Sequence, residues 1–468
     1  MTVGRRAAAC GAALLLLVWA LSGSSGKAAA GPAFPDVAGH WAQGYIATLA
    51  GRGILSGYPD GTFRPDGTIT RLEFAAVLAK AKGLSSKAKT PYFSDVGEDS
   101  WGFPYVQALA EARVLHPEDY GGRLSPDSPI TRVEIATMLV RAAGLEGEVG
   151  KEGVLTSFSD TVPAWARGYV AVALDHGLVT GYDDGTFGAS RNATRAEAGL
   201  MVLRLLDPKV RPATWTETYA YKGNTLKVVR VNFNRDDIEI RPALAGSMKD
   251  TAYLADIANA QGAVAAVNGG YFSAYSNDKG DFGEAYNALE IDGTWVHFQY
   301  QGTALGITYD KRIIMDPVRM AITGSTNGQP GAWSAWSVNH TSPDIIGIFN
   351  KYRGATTQMA DGITFTVRNG RIVSKGGPDV PIPEDGYVIF VSNSRVNRWT
   401  DVMFPVGASV EYQVQFNTGE AMADLGAYNA MQLDSGASSC LWYEGEYLTS
   451  PGRAINNALV VVSQAERK

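Results

Sequence analysis

The chain has 468 residues, 45% of them hydrophobic and 19% charged, with a formal net charge of −6. That length is too great for one hydrophobic core and predicts two or three domains, while the apolar content excludes a disordered polymer. The acidic balance lacks the basic field that phosphate-backbone binding needs, so no nucleic-acid partner is expected.

The first segment reads as an export signal. Arg5-Arg6 precede an apolar stretch from Ala7 to Leu21, and Ala28-Ala29-Ala30 offers a cleavage site, which predicts a signal peptide over residues 1–30. The apolar stretch is shorter than the roughly 20 residues of a membrane span, and no later stretch is long enough. No transmembrane segment is expected after cleavage. Cys10 falls inside the signal, which leaves Cys440 and no internal disulfide. A thiol nucleophile at Cys440 would need a base such as His297 or His340, but no partner motif accompanies it, and a buried structural Cys is the simpler reading. Five histidines without paired spacing do not suggest zinc, and no EF-hand frame is present. No cofactor is expected, and a divalent metal stays open.

Three repeats follow. Each opens on an aromatic-Pro/Ser-Asp triplet, carries a Trp a few residues later, and has Thr-Arg-x-Glu further on. The copies are Phe34-Pro35-Asp36, Trp41, Thr70-Arg71-Leu72-Glu73; Phe93-Ser94-Asp95, Trp101, Thr131-Arg132-Val133-Glu134; and Phe158-Ser159-Asp160, Trp165, Thr194-Arg195-Ala196-Glu197. The Trp-to-Arg distance is 30, 31 and 30 residues (41 to 71, 101 to 132, 165 to 195). A long regular period marks stacked supersecondary units that bury their apolar faces against neighbours. Each unit predicts helix, loop, helix, over 34–83, 92–145 and 157–206. The loops Gly57-Tyr58-Pro59-Asp60-Gly61-Thr62-Phe63 and Gly181-Tyr182-Asp183-Asp184-Gly185-Thr186-Phe187 match, whereas the second repeat has Leu115-His116-Pro117-Glu118-Asp119-Tyr120-Gly121-Gly122.

Thr and Glu three apart predict a capping box at each second helix. The Arg between them is opposed by the helix dipole. Two readings stay open: it bridges to the Asp of a neighbouring repeat, or it makes an anion pocket with the helix-start amides. The three tryptophans read as core, groove lining or sugar-stacking platforms.

These motifs resemble S-layer homology repeats. The resemblance implies an all-α, pseudo-threefold domain that attaches exported bacterial proteins to secondary cell-wall polysaccharide at the cell surface. The ligand would be a pyruvylated sugar whose carboxylate meets the arginines. It points to Trp41, Arg71, Trp165 and Arg195 as polysaccharide-binding residues, with Arg132 behind them because its repeat lacks the Gly-Tyr loop.

Residues 207–214 predict a linker, and 215–463 an α+β domain. Strands are expected at Leu226 to Phe233, Ile238 to Ile240, Ala263 to Val267, Ala304–Thr308, Ile363–Arg368, Tyr387–Ser392 and Ala458–Val462, with helices at Ala252 to Ala260 and Gly419 to Leu425. Two strand ends run into Asn268-Gly269-Gly270-Tyr271-Phe272 and Asp434-Ser435-Gly436-Ala437-Ser438-Ser439. Glycine there admits a ligand close to the main chain, and the polar groups suit hydroxyls or phosphate oxygens; tight turns capped by Asn and Asp are the alternative.

Both segments, with Thr303-Ala304-Leu305-Gly306-Ile307-Thr308, Pro381-Ile382-Pro383-Glu384-Asp385-Gly386-Tyr387-Val388, Gly426-Ala427-Tyr428-Asn429-Ala430 and Arg453-Ala454-Ile455-Asn456-Asn457-Ala458-Leu459-Val460, resemble the phosphodiester glycosidase family. The resemblance implies hydrolysis of a sugar-1-phosphodiester. It points to Asp434 and Asn268 as catalytic residues and to Gly269, Gly270, Tyr271, Ser438, Ser439 and Arg453 as substrate-binding residues. The partner carboxyl is open between Glu284, Glu290 and Asp292. The chain departs from the family where side chains replace two glycines after Asp434, where Gly302 precedes Thr303, and where the interval before Gly426 is short. A binding-only domain without turnover is the alternative.

Overall fold

The computed structural model describes residues 34–150, 154–155, 158–221, 224–270, 272, 285, 288–298, 302–308, 310–318, 320–340, 345–396, 398–416, 427–431, 440–450 and 452–463. The expected signal peptide, Tyr271, Glu284, the helix expected at 419–425 and the whole 434–439 segment lie outside them. The chain divides into two compact units, one running to Ile135 with Arg191–Leu203 added, the other Ala136–Ser190 with the chain from Arg204 onward.

Among the described residues the repeats carry six α-helices, α1 (Gln43–Gly51), α2 (Arg71–Ala81), α3 (Phe103–Glu111), α4 (Arg132–Ala142), α5 (Arg167–Asp175) and α6 (Arg195–Leu206). The expected capping boxes form at all three Thr-x-x-Glu sites. Thr70, Thr131 and Thr194 N–H donate to Glu73, Glu134 and Glu197 at 2.9, 2.8 and 2.9 Å. The Glu N–H groups donate back to the Thr hydroxyls at 3.2, 3.4 and 3.1 Å. Each box satisfies two of the orphan donors at a helix start.

An all-α description of the repeats does not hold. Between the helices lie long turns, 3-10 segments such as Pro117–Tyr120, and isolated antiparallel bridges at Thr68/Thr194, Thr70/Pro129 and Thr131/Asn192. Ile69 N–H donates to Ala193 O, Ala193 N–H to Ile130 O, and Ile130 N–H to Ile69 O, at 3.2, 3.0 and 3.0 Å, so one extended residue from each repeat closes a ring of backbone bonds. Helical periodicity carries no trace of that pairing, because the partners are far apart in sequence.

The second half is predominantly β. Its strands, after the short β1 (Val154–Leu155), begin with β2 (Thr214–Tyr221), β3 (Asn224–Val231), β4 (Ile238–Leu244), β5 (Ala263–Asn268), β6 (Leu289–Ile291) and β7 (Thr294–His297). They continue with β8 (Gly302–Thr308), β9 (Ile313–Val318), β10 (Met320–Thr326), β11 (Gln329–Ala335), β12 (Ser337–Val338), β13 (Ile346–Phe349) and β14 (Ile363–Arg368). The last are β15 (Arg371–Gly376), β16 (Gly386–Val391), β17 (Val410–Phe416), β18 (Ala427–Met431), β19 (Leu441–Tyr443), β20 (Glu446–Thr449) and β21 (Asn457–Ser463). Among the described residues beyond 207 the only α-helices are α7 (Leu254–Gln261) and the single turn α8 (Thr400–Met403). The α+β expectation is corrected accordingly: many short, half-buried strands pair through hairpins whose alternation is too brief to register in sequence.

Three five-stranded sheets dominate, ordered β12-β13-β16-β14-β15, β7-β6-β18-β8-β9 and β20-β19-β5-β21-β4. The third positions the candidate site. Helix α7 covers one face through Leu254, Ile257 and Ala258 against Ala266, Trp442 and Val460. Val264, Ala265 and Val461 pack on the other face with Ile307 of β8. Burial on both faces explains why β5 reads as an unbroken apolar run.

Candidate functional site

The repeat motifs resolve into structural and exposed parts. Arg71 Nε donates to Glu134 Oε1 at 2.8 Å and its Nη1 to Leu124 O at 3.0 Å. Arg195 donates to Phe63 O, Glu73 Oε1 and Ser56 O at 2.9, 3.3 and 2.8 Å. Arg132 Nη1 lies 3.8 Å from Glu197 Oε1. Each arginine therefore reaches the capping-box Glu of the next repeat, and the third returns to the first. The partner is that Glu, not the Asp of the opening triplet. The ion pair offsets the unfavourable dipole at the helix start.

The triplet aspartates hold loops instead. Asp36 accepts from Phe63 and Arg64 N–H, Asp95 from Leu124 and Ser125 N–H, and Asp160 from Phe187 and Ala189 N–H. Burial pushes these carboxyls up, but the backbone donors outweigh it and hold all three below the ordinary value. Phe34 packs on Phe63 and Phe158 on Phe187 at 5.4 and 5.5 Å, while Phe93 meets Tyr120 of the divergent loop at 6.0 Å. The tryptophans are not core: Trp41, Trp101 and Trp165 are 56%, 60% and 57% exposed.

In the second half, the C-terminal end of β5 meets the N-terminal ends of β19 and β21, because β5 runs antiparallel to both. Asn268 ends β5 with its side chain buried, and its Oδ1 accepts from Cys440 N–H at 3.2 Å. Gly269 N–H donates to Asn457 O at 2.9 Å, and Gly270 N–H to Asn457 Oδ1 at 2.5 Å. Asn457 Nδ2 donates to Asn456 Oδ1, and Asn456 Nδ2 to Met248 and Asp250 carbonyls. The Arg453 guanidinium lies 4.9 Å from the centre of the Phe272 ring. Of the sequence-predicted site residues, Asn268, Gly269, Gly270 and Arg453 thus gather at one sheet rim. Tyr271, Asp434, Ser438 and Ser439 fall outside the described residues; Ser439 precedes Cys440 in the chain. The role of Asn456 and Asn457 as buried braces was not legible, since their adjacent amides have no distinguishing pattern.

Among the acid candidates, Asp292 has φ of 50° in the Asp-Gly turn joining β6 to β7, a hairpin position. Glu290 stands on β6 beside Ala430 of β18 and is buried. Burial pushes its carboxyl up to about 8, so it is protonated at neutral pH. Burial also pushes the Cys440 thiol up to about 11, which keeps it out of the thiolate form. His297 and His340 meet edge to face at 5.7 Å. Glu148, Asp175 and His176 form a possible metal-donor set among the described residues. Glu148 bonds His176 at 2.9 Å and Asp175 is paired with Arg230, so these side chains already have protein partners. No helix among the described residues is long and apolar enough to cross a membrane.

Residues 33–75, 92–136 and 157–198 match the S-layer homology domain, and residues 261–462 match the phosphodiester glycosidase family. An amylopullulanase of Thermoanaerobacterium thermosulfurigenes is 33% identical over 177 residues, 37% of this chain and 9% of that protein. An S-layer protein of Bacillus anthracis is 33% identical over 177 residues, 37% and 20% of the two chains. A cellulosome-anchoring protein of Acetivibrio thermocellus is 30% identical over 161 residues, 33% and 35% of the two. This chain therefore spans about a third or less of each relative. A hypothetical protein from Synechocystis superposes with a TM-score of 0.42 at 16% identity, over 54% of this chain and 62% of that one. The zebrafish N-acetylglucosamine-1-phosphodiester alpha-N-acetylglucosaminidase catalytic domain does so with a TM-score of 0.23 at 13% identity, over 54% and 84%.

Proposed function

Because the chain carries three S-layer homology repeats and a phosphodiester glycosidase domain, we propose that the repeats hold it at the bacterial cell surface on secondary cell-wall polysaccharide while the second half hydrolyses sugar-1-phosphodiester bonds. A cleaved signal peptide over 1–30 would deliver it there. The anchoring reading is carried by three tryptophans exposed at equivalent repeat positions, where core residues would be buried. Trp41 and Trp165 are assigned to stacking on sugar rings. Arg71 has 23% of its side chain exposed, against 6% for Arg195 and 4% for Arg132. It is the guanidinium open to a pyruvyl carboxylate, while Arg195 and Arg132 tie one repeat to the next.

The hydrolytic reading rests on the polar, glycine-bearing rim at the end of β5. Asp434 and Asn268 are assigned to catalysis, and Gly269, Gly270, Tyr271, Ser438, Ser439 and Arg453 to the substrate. Glu290, protonated at neutral pH, is the carboxyl suited to donate a proton to the leaving oxygen.

Two measurements test these halves separately. The protein without residues 1–30 should pellet with purified cell walls and lose that binding when wall polysaccharide is chemically removed. Trp41→Ala with Trp165→Ala should weaken it about tenfold. Equal binding to stripped walls would overturn the anchoring reading. Turnover of N-acetylglucosamine-1-phosphodiester or teichoic-type substrates should fall by roughly 10²–10⁴ in Asp434→Asn and in Glu290→Gln. Saturable binding without turnover in the unaltered protein would establish a glycan-binding domain instead of an enzyme.

A further inference from the structure

The β10–β11 hairpin turns on Asn327 and Gly328, with φ of 50° and 76°, a two-residue turn that matches the twist of its strands. Against this turn sits α8 with its capping Trp399. Thr326 to Ala332 on one side and Trp399, Val402 and Met403 on the other line an open groove of about 580 Å³. That volume lies in the range of about 300–1,000 Å³ typical of small-ligand sites. None of the residues assigned above to wall binding or hydrolysis lines it.

Four features define what would fit. Trp399 is 55% exposed, and the Arg398 guanidinium, 5.0 Å from its ring centre, steadies the indole. At the rim, the Gln329 side chain is exposed with no protein partner among the described residues, and Asn327 commits only its Oδ1, which accepts from Ser409 N–H at 3.1 Å. Gly328 and Gly331 leave the turn backbone bare, so a ligand can approach the main chain. Apart from the Arg398 guanidinium against the indole, no charged side chain lines the groove. Thr326 is not available to a ligand, since its hydroxyl donates to Met403 O at 3.0 Å and ties the hairpin to α8.

An exposed indole beside uncommitted amides suits a pyranose, whose C–H face stacks on the ring while its hydroxyls take up donors and acceptors. An apolar peptide fits less well, because it would strip water from the Asn327 and Gln329 amides without pairing them. We propose that this groove binds a neutral glycan chain, stacked on Trp399 and hydrogen-bonded by Gln329 and Asn327, separately from the wall-anchoring repeats and the phosphodiester site.

The test is calorimetric titration of the full chain, without residues 1–30, with chitotetraose, cellotetraose and maltotetraose; the three probes separate amino-sugar, β-glucan and α-glucan sources. At least one should bind saturably. Trp399→Ala should weaken that binding about tenfold and Gln329→Ala about threefold, whereas Trp399→Phe should keep most of it. Trp41→Ala and Trp165→Ala should leave it unchanged. The melting temperature should be unchanged in Trp399→Ala, Trp399→Phe and Gln329→Ala. Binding of none of the three probes, or binding that survives Trp399→Ala intact, would overturn the proposal.

Discussion

The repeat array and the rim at the end of β5 spend their recurring polar residues in opposite ways. In the repeats, the motif residues that look most chemical, Arg and Glu, close the array on itself, and the residues that look like core, the tryptophans, face solvent. At the β5 rim the polar residues are buried and brace a turn, while the candidate proton donor is an otherwise ordinary glutamate on β6 of another sheet. A residue type recurring in a motif therefore identifies a shared constraint; burial and partner decide whether that constraint is structural or functional.

The largest expected effect probes the ring. Arg195→Ala removes three hydrogen bonds and leaves the Glu73 carboxylate without its guanidinium, for a loss of about 3–5 kcal/mol. Urea unfolding followed by the helical circular dichroism signal would measure it. A loss below about 1 kcal/mol would mean that the ring does not hold the repeats.

Glu290 gives the second test, through pH. Its folded pKa of about 8 lies above the ordinary 4.5, so between those values the unfolded chain has released a proton that the folded chain keeps. Stability should therefore be greatest below pH 4.5 and fall by up to roughly 1.4 kcal/mol per pH unit until about 8, as far as this group is concerned. Glu290→Gln should flatten that part of the profile. An unchanged slope would show that Glu290 is not the buried titrating group.

A smaller effect is expected at the rim. Asn457→Ala leaves the Gly270 N–H without its acceptor in a partly buried turn, at about 1 kcal/mol. A substitution without cost would separate that turn from the stability of the sheet. The smallest concerns Arg64, which pairs with Asp60 at 2.7 Å with both side chains about half exposed. Arg64→Ala should leave the unfolding curve nearly unmoved, and the contrast with Arg195 isolates burial as the cause.

Read alone, the sequence determined the elements whose signals are local. Thr-x-x-Glu specifies a helix start within four residues, and all three capping boxes formed. The apolar run from Ala263 to Val267 specifies a strand buried on both faces, and Asn268-Gly269-Gly270 marks its end. Repeat spacing and the family motifs were also legible, because they rest on the order of residues along the chain. Only the tertiary structure decided which Glu each Arg meets, that the tryptophans lie outside, that the second half is mostly short paired strands, and that Glu290 is buried enough to hold its proton. The physical reason is common to all four. Partner choice, burial and electrostatic shift depend on residues brought together from distant parts of the chain, and no local spacing encodes the desolvation that turns an ordinary side chain into a brace, a platform or an acid.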